Sequence, residues 1–270
     1  MKKIFYLALV AIAAVACQKE KRETAVNIPP NDARTLPLKQ MVSEGLPSPY
    51  FQFTYDKNNY VTKLQHAAGL LQYELQYENG RLVRMANNTF VNKDTLVYKY
   101  ESNRVSRVDL IEGNGQKAKE AELSYDRLGR LEKIQWKKLN IDFTSTTIRK
   151  MVFKYNRDND LIEFEDYRDM GSGLELLKTH YFENYDTHVN PEANFLIKDV
   201  FEHFLFLPQV QMQKANPLME KIVGKQNDWL IVYSYTYDGN GYPVTRTAEI
   251  KQTRGAGMGS TTVGVTTYTY

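Results

Sequence analysis

The phrase Tyr125-Asp126-Arg127-Leu128-Gly129-Arg130-Leu131-Glu132-Lys133 decides the fold of this chain because it recurs. Related phrases begin at Tyr55, Tyr77, Tyr100 and Tyr237, and weaker copies begin at Tyr155 and Tyr185. Self-similarity at regular intervals indicates one supersecondary unit that is used many times. The fold is therefore decided by the structure of one such unit.

The repeated unit reads as a β-hairpin. Apolar and aromatic residues alternate with polar ones before each tyrosine, as in Tyr73, Leu75 and Tyr77, and a period of two places them on one face of a strand. The acidic residue and the Asn or Gly that follow predict a tight turn, after which a second apolar run returns. The sequence predicts a mainly β fold, a large curled antiparallel hairpin meander of about 13–14 strands over residues 49–270.

An insertion is expected between Tyr185 and Tyr237, where the regular spacing fails. Asn190-Pro191-Glu192 resembles a helix start, since Pro is tolerated in the first turn and an acid favours the helix dipole. Apolar residues then recur near helical spacing from Phe195 to Leu207. We predict one inserted helical segment near residues 191–223, packed on the sheet as a core plug. The alternative is a mobile lid over a ligand site.

The amino terminus predicts an exported lipoprotein. Two lysines precede an apolar run from Ile4 to Ala16, which is shorter than the ~20 residues that span a membrane. Ala14-Val15-Ala16-Cys17 resembles a bacterial lipobox, and Cys17 is the single cysteine. The resemblance implies that residues 1–16 are a signal peptide and that Cys17 is lipidated. The alternative is a plain secretory signal that is cut nearby.

Residues 17–48 read as the lipidated cysteine followed by a flexible tether, because they are charged, rich in proline and without periodicity. We therefore expect a membrane partner through the lipid on Cys17. The expected location is the cell envelope, anchored to the outer membrane, with the periplasmic and the surface-facing leaflet both open. Oligomeric state is left open as well.

Composition excludes some function classes. The formal net charge is +3, which gives no basic excess for nucleic-acid binding. The four histidines show no metal-ligand spacing. We find no nucleophile elbow and no phosphate loop. The sequence thus predicts no metal, no cofactor and no enzyme activity.

The hairpin phrase carries a family resemblance. Tyr125 to Leu131 resembles the YD repeat of Rhs-type proteins, and the layout from residue 51 to 270 is similar to Bacteroidetes lipoproteins of uncharacterised function with YD-like hairpins. Large Rhs proteins enclose a toxin, and this chain is too short for such a shell. The resemblance permits carbohydrate binding. Asp94-Thr95-Leu96 also matches a short O-glycosylation motif of exported Bacteroidetes proteins, which makes Thr95 a candidate modification site.

Candidate ligand-binding residues are the repeated tyrosines and the cations of the returning strands. They are Tyr55, Tyr77, Tyr100, Tyr125, Tyr237, Lys63, Arg84, Arg107, Lys133 and Arg246. Neighbouring hairpins would stack them in rows, and flat aromatic faces beside hydrogen-bonding cations suit sugars. The competing interpretation is structural, with tyrosines in the core and cations stacked on rings or paired across strands.

These observations favour an outer-membrane-anchored lipoprotein that is a non-catalytic binding module for a glycan or a protein partner. Two alternatives remain at this point. One is a carrier of lipid or another hydrophobic ligand, with the predicted helix as its lid. The other is a glycan-processing enzyme, which would need two carboxyl groups in one cleft.

Overall fold

Several tight turns of the repeated phrase are capped by the side chain that follows the tyrosine. In the computed structural model, which describes residues 38–90, 92–140, 142, 144–194 and 204–270, Asp126 Oδ1 accepts hydrogen bonds from the backbone N–H groups of Leu128 and Arg130, both at 2.9 Å. Asp56 and Asp238 make the same pair of contacts in their own turns. The capped turn reverses the chain and starts the returning strand.

Every regular element in the described residues is a β-strand. The sixteen strands are β1 (Gln40–Ser43), β2 (Phe51–Tyr55), β3 (Val61–His66), β4 (Leu71–Glu78), β5 (Arg81–Asn87), β6 (Thr95–Glu101), β7 (Arg104–Ile111), β8 (Lys117–Tyr125), β9 (Leu131–Leu139), β10 (Ser145–Tyr155), β11 (Leu161–Asp169), β12 (Leu174–Tyr185), β13 (Pro217–Gly224), β14 (Asp228–Tyr237), β15 (Pro243–Arg254) and β16 (Thr261–Thr269). Within the same residues, no helix is long and apolar enough to cross a lipid bilayer.

The strands form one closed antiparallel barrel in which each strand pairs with its neighbours in sequence. β1 closes the ring, because Met41 pairs with Tyr268 of β16 on one side and with Phe51 of β2 on the other. Turns alternate between the two ends of the barrel. We call the end that carries turns 126–130 and 238–242 the tyrosine end, and the opposite end the far end.

The predicted fold class, an open curled meander of about 13–14 strands with a helical insert, is wrong. The hairpins follow one another as expected, but they close into a barrel of sixteen strands. The closing strand β1 lies inside residues 17–48, which the sequence predicts to be tether. Only Met41 is buried in this four-residue strand, so it leaves no alternating pattern to recognise.

The predicted helical segment near residues 191–223 is also wrong wherever the structure describes it. Residues 217–223 belong to β13, where Ile222 pairs with His180 of β12 and Trp229 of β14. The four residues 204–207 are all buried in succession. A run that is buried on every side matches helical spacing without being a helix. Residues 195–203, the centre of the predicted helix, lie outside the described residues.

The amino-terminal predictions also fall outside the described residues. They are the signal peptide at 1–16, the lipid on Cys17 and the tether as far as residue 37. The lipid anchor therefore remains a prediction.

One extra residue in each returning strand sets which side chains face outwards. The register shifts immediately before Tyr55, Tyr77, Tyr100, Tyr125, Tyr155 and Tyr237. Tyr125 pairs with Leu131 and Ser124 pairs with Lys133, which leaves Glu132 as a β-bulge. Because side chains alternate with a period of two, the bulge keeps Leu131 inside and Lys133 outside.

The interior bounded by β2 to β10 is apolar and filled. The Phe204 ring lies 5.6 Å from the Tyr73 ring, and the Phe206 ring lies 6.3 Å from the Phe53 ring. Tyr98 donates a hydrogen bond to the Phe206 carbonyl at 2.9 Å. A ring of sixteen strands encloses more space than a small barrel fills with its own side chains. Here the described part of the inserted segment occupies that space.

His66 makes the stability of this apolar half depend on pH. It is fully buried, and its ring centroid lies 4.6 Å from those of both Tyr50 and Phe51. Burial lowers the pKa of His66 to about 4. Because the unfolded state then binds the proton more readily than the folded state, stability is lost as pH falls from about 6.5 towards 4.

We expect the His66→Phe variant to lose less stability than the natural chain when pH falls from 7 to 5. The difference should be about 1–2 kcal/mol in the free energy of unfolding, measured by urea denaturation at both pH values. His188→Phe is the matched control, since the His188 side chain is 39% exposed. An equal loss of stability in the natural chain and in His66→Phe would contradict the assignment.

Candidate functional site

The repeated tyrosines join each hairpin to the one before it. The Tyr100 hydroxyl donates to the Leu82 carbonyl at 2.8 Å, and the Tyr125 hydroxyl donates to the Val105 carbonyl at 2.9 Å. The same contact joins Tyr55 to Leu38, Tyr155 to Leu131, Tyr185 to Leu161 and Tyr270 to Pro243. We call this hydroxyl-to-carbonyl bond the tyrosine latch. It gives these tyrosines a structural role.

Arginines from the preceding turn cover the latch tyrosines. The guanidinium carbon of Arg104 lies 5.5 Å from the centre of the Tyr125 ring, and that of Arg81 lies 5.4 Å from the Tyr100 ring. Arg130 takes the same place over Tyr155 at 5.0 Å. Such contacts are cation–π interactions. Sequence reasoning missed this row, although an arginine just after the turn recurs at all three positions.

Burial also makes the hydroxyl groups of the latch tyrosines harder to ionise. It raises the pKa of Tyr100 to about 12, with the nearby Arg81 acting in the opposite direction, and raises the pKa of Tyr125 further. The Tyr77 ring contacts another aromatic ring instead of an arginine, since it lies 4.8 Å from the Tyr60 ring. Tyr237 donates its hydroxyl to Asp186 instead of to a carbonyl. A sugar-binding platform made of these rings remains a prediction.

Four of the five predicted cations share the outer face, and the fifth does not. Lys63, Arg84, Arg107 and Lys133 lie on β3, β5, β7 and β9 and face outwards. In the last hairpin the equivalent place belongs to Thr245, which pairs with Thr236. Arg246 comes one residue later and therefore faces inwards. Its Nη1 lies 2.5 Å from Glu192 Oε1.

Two of the predicted cations meet in a groove on the outer face of β6 to β9. The groove has a volume of about 440 Å³. Its lining residues are Lys99, Tyr100, Glu101, Ser106, Arg107, Glu122, Leu123, Ser124, Lys133 and Gln135. Lys99 pairs across strands with Arg107, Arg107 pairs with Glu122, and Ser124 pairs with Lys133. We refer to this feature as the outer groove.

The outer groove offers cations and hydrogen-bonding groups. Lys99 and Lys133 form no ion pair with any described residue, whereas Arg107 Nε lies 3.2 Å from Asp109. The carboxylate of Glu122 is bound by Lys137 at 2.6 Å. Ser124 Oγ is buried and bonds to no described residue. The ammonium groups of Lys99 and Lys133, together with the Arg107 guanidinium, suit a ligand with anionic oxygens.

The glycosylation of Thr95 stays a prediction. Thr95 is 9% exposed within β6, and a bulky sugar needs an exposed hydroxyl. In the described part of the chain, no group of three or more His, Cys, Asp or Glu side chains could hold a metal ion.

Comparisons with known proteins support the fold. No protein-family model matches the sequence, and no curated protein matches it. A porin-like protein from Bacteroides uniformis matches with a TM-score of 0.57 and 11% identity over 81% of this chain and 88% of that chain. A porin-like protein from Bacteroides vulgatus matches with a TM-score of 0.56 and 14% identity over 87% and 99% of the two chains.

A third match is the TcdB2-TccC3-Cdc42 structure, with a TM-score of 0.33 and 16% identity over 74% of this chain and 12% of that chain. At these identities the first two matches show a shared barrel fold and nothing more, and the third carries no argument.

The distribution of apolar and polar side chains across the barrel wall can be compared with that of membrane-spanning barrels. Membrane-spanning barrels carry an apolar band outside and polar residues inside. The wall from β2 to β10 has the opposite order, with Phe53, Leu64 and Trp136 buried inside. Outside it carries ion pairs such as Lys137 with Glu122. This arrangement does not resemble a lipid-facing wall around an aqueous pore.

We expect Tyr125→Phe to reduce the free energy of unfolding by about 1–2 kcal/mol, because the buried Val105 carbonyl loses its partner. Tyr181→Phe is the control, since the Tyr181 hydroxyl bonds to no described residue, and it should change stability by less than about 0.5 kcal/mol. Urea denaturation measures both variants. Equal losses in the free energy of unfolding of the two variants would contradict a stabilising role of the latch.

Proposed function

We propose that this protein is a non-catalytic cell-envelope lipoprotein that binds an acidic polysaccharide in the outer groove. The single observation that carries the proposal is the meeting of Lys99, Arg107 and Lys133 around a groove of about 440 Å³. The cations attract the carboxylates or sulfates of such a polymer. The Gln135 amide supplies hydrogen bonds for its hydroxyl groups.

The groove is suited to part of a long chain and not to an enclosed molecule. Its floor is a sheet surface, and its cations project from three different strands, β6, β7 and β9. Lysine and arginine heads on an exposed sheet keep much of their hydration, so each contact contributes modestly and several must act together. A repeating acidic polymer presents anionic groups at intervals and meets this requirement.

The envelope location rests on the sequence. The lipobox-like Ala14-Val15-Ala16-Cys17 and the charged tether support export and lipid attachment, and the anchor would hold the barrel within reach of envelope polysaccharides. Outer-membrane anchoring is the location that we propose. The shared fold with porin-like Bacteroides proteins is compatible with it.

We expect the double variant Arg107→Gln with Lys133→Gln to bind chondroitin sulfate or polygalacturonate at least about tenfold more weakly, which corresponds to ~1.4 kcal/mol. Lys63→Gln with Arg84→Gln is the matched control, because it removes the same charge from equivalent outward positions outside the groove. Its affinity should change little. Titration calorimetry at low and physiological salt measures both, with dextran as the neutral polymer.

Three results would overturn the proposal. The first is that neither acidic polymer binds the natural protein. The second is that the two double variants weaken binding equally, which would indicate a general charge effect. The third is that dextran binds as tightly as the acidic polymers, since the groove cations would then play no part.

A further inference from the structure

The loops at the far end of the barrel carry exposed apolar side chains. In the part of the chain that the structure describes, the large apolar residues exposed in loops are Leu128 at the tyrosine end and, at the far end, Leu46, Leu70, Phe90, Met170 and Met258. Single exposed apolar residues are common on protein surfaces, whereas several at one end of a molecule indicate a contact surface.

Four of these five residues lie on loops that follow one another around the ring. The loops join β15 to β16, β1 to β2, β3 to β4, and β5 to β6. Neighbouring strands lie about 4.8 Å apart, so the tips of adjacent loops are on the order of 10 Å apart. We call Leu46, Leu70, Phe90 and Met258 the apolar rim.

Backbone hydrogen bonds hold three of the rim loops side by side. The Ala68 N–H donates to the Pro49 carbonyl at 2.9 Å and joins the β3–β4 loop to the β1–β2 loop. The Asn88 N–H donates to the Gln72 carbonyl at 2.8 Å and joins the β5–β6 loop to β4. The tips of these loops therefore keep fixed positions relative to one another.

The loop around Phe90 is built to hold its ring in solvent. Thr89 Oγ1 donates to the Asn92 carbonyl and accepts from the Asn92 N–H, both at 3.1 Å. Lys93 Nζ donates to Asn88 Oδ1 at 3.0 Å in the same loop. Phe90 is nevertheless 98% exposed. Because a buried phenylalanine stabilises a protein and an exposed one does not, this exposure requires an explanation.

Leu70 is presented by a turn of unusual backbone conformation. Ala67, Ala68 and Gly69 have φ values of 49°, 55° and 86°, which is the left-handed region that alanine adopts at a cost. Leu70 follows directly and is 57% exposed. Strain of this kind is common at binding surfaces, where it fixes a side chain in a position that relaxed backbone would not give.

The rim loops carry little charge. Among their described residues, the charged side chains are Glu44, Lys93 and Asp94, and the residues beside the tips are mostly Gly, Ser, Pro and Asn. A protein partner meets a closely packed and complementary surface. Separate apolar tips between small uncharged residues are better suited to the boundary between lipid headgroups and acyl chains.

We propose that the apolar rim binds the surface of a phospholipid bilayer of neutral headgroups, with its tips inserted between the lipids. Each tip buries one side chain, so several must act together to hold the barrel. The barrel then stands on the bilayer by its far end and does not cross it. The charged outer wall, with ion pairs such as Lys137 with Glu122, stays in water.

The predicted lipid on Cys17 is compatible with this orientation. The described chain begins at the tyrosine end, where the Leu38 carbonyl accepts the latch bond of Tyr55. Residues 18–37 can extend over about 70 Å, whereas the 12 residues of β15 span about 40 Å. The anchor and the apolar rim can therefore reach the same bilayer. The proposal depends neither on the anchor nor on the outer groove, so each can fail without the others.

The test is cosedimentation of the full mature chain with phosphatidylcholine vesicles, in the Cys17→Ser variant so that no lipid anchor contributes. We expect Leu70→Ser with Phe90→Ser to lower the partition coefficient at least about tenfold, because two apolar side chains no longer leave water. Leu128→Ser with Val244→Ser is the matched control, since both residues are exposed and lie at the tyrosine end. Its partition coefficient should change little.

A second pair of variants reports insertion directly. The emission of Phe90→Trp should shift to shorter wavelength on binding and should be quenched by lipids with brominated acyl chains. Leu128→Trp is the control and should show neither change. The natural tryptophans, Trp136 and Trp229, are present in both variants and contribute equally.

Thermal melts confirm that every variant is folded. The proposal is overturned if the natural chain does not bind the vesicles, if the two double variants bind equally, or if Phe90→Trp is not quenched. It is also overturned if binding requires phosphatidylglycerol and is lost at high salt, since charge and not the apolar rim would then hold the protein.

Discussion

The tyrosine latch is the interaction on which the rest of the structure depends. Backbone pairing alone would let neighbouring hairpins of such similar sequence slide by two residues, because their hydrophobic pattern repeats with that period. A hydroxyl that reaches the carbonyl at the start of the preceding returning strand, as Tyr125 reaches Val105, permits one register. The covering arginine from the preceding turn, such as Arg104, adds a cation–π contact to the same ring.

Once the register is fixed, the bulge in each returning strand decides which side chains face outwards. It turns Arg107 and Lys133 outwards, where they meet Lys99 in the outer groove. The closed ring also encloses more volume than the wall fills. The described part of the inserted segment fills the half bounded by β2 to β10 with Phe204 and Phe206. The outer groove is thus a consequence of one repeated hairpin.

Much of the hairpin could be predicted from the sequence, because its information is local. The turn at Asp126 and the alternation before Tyr77 each lie within a few residues. Closure could not be predicted, since β1 has four residues and pairs with β16 more than 200 residues away. The helix was predicted wrongly because residues 204–207 are buried on all sides instead of on one face.

The site residues also divide into those with a local sequence signal and those that only long-range pairing brings together. The row of equivalent cations was predicted from repeat spacing, though not the face that it occupies. Arg246 does not belong to the row, because it lies one position beyond the equivalent Thr245 and therefore faces the other way. The contact between His180 and Glu220 could not be predicted, since the two residues are 40 positions apart and come together only through the pairing of β12 with β13. Long-range pairing of this kind leaves no local signal.

Native-state hydrogen exchange, followed by mass spectrometry in increasing urea, tests the latched and closed ring most directly. The account predicts that the amides of β2 to β16 approach one common opening free energy, because no hairpin has a free edge from which to unfold. Hairpins that open one after another, with stability graded along the chain as in an open repeat array, would contradict it.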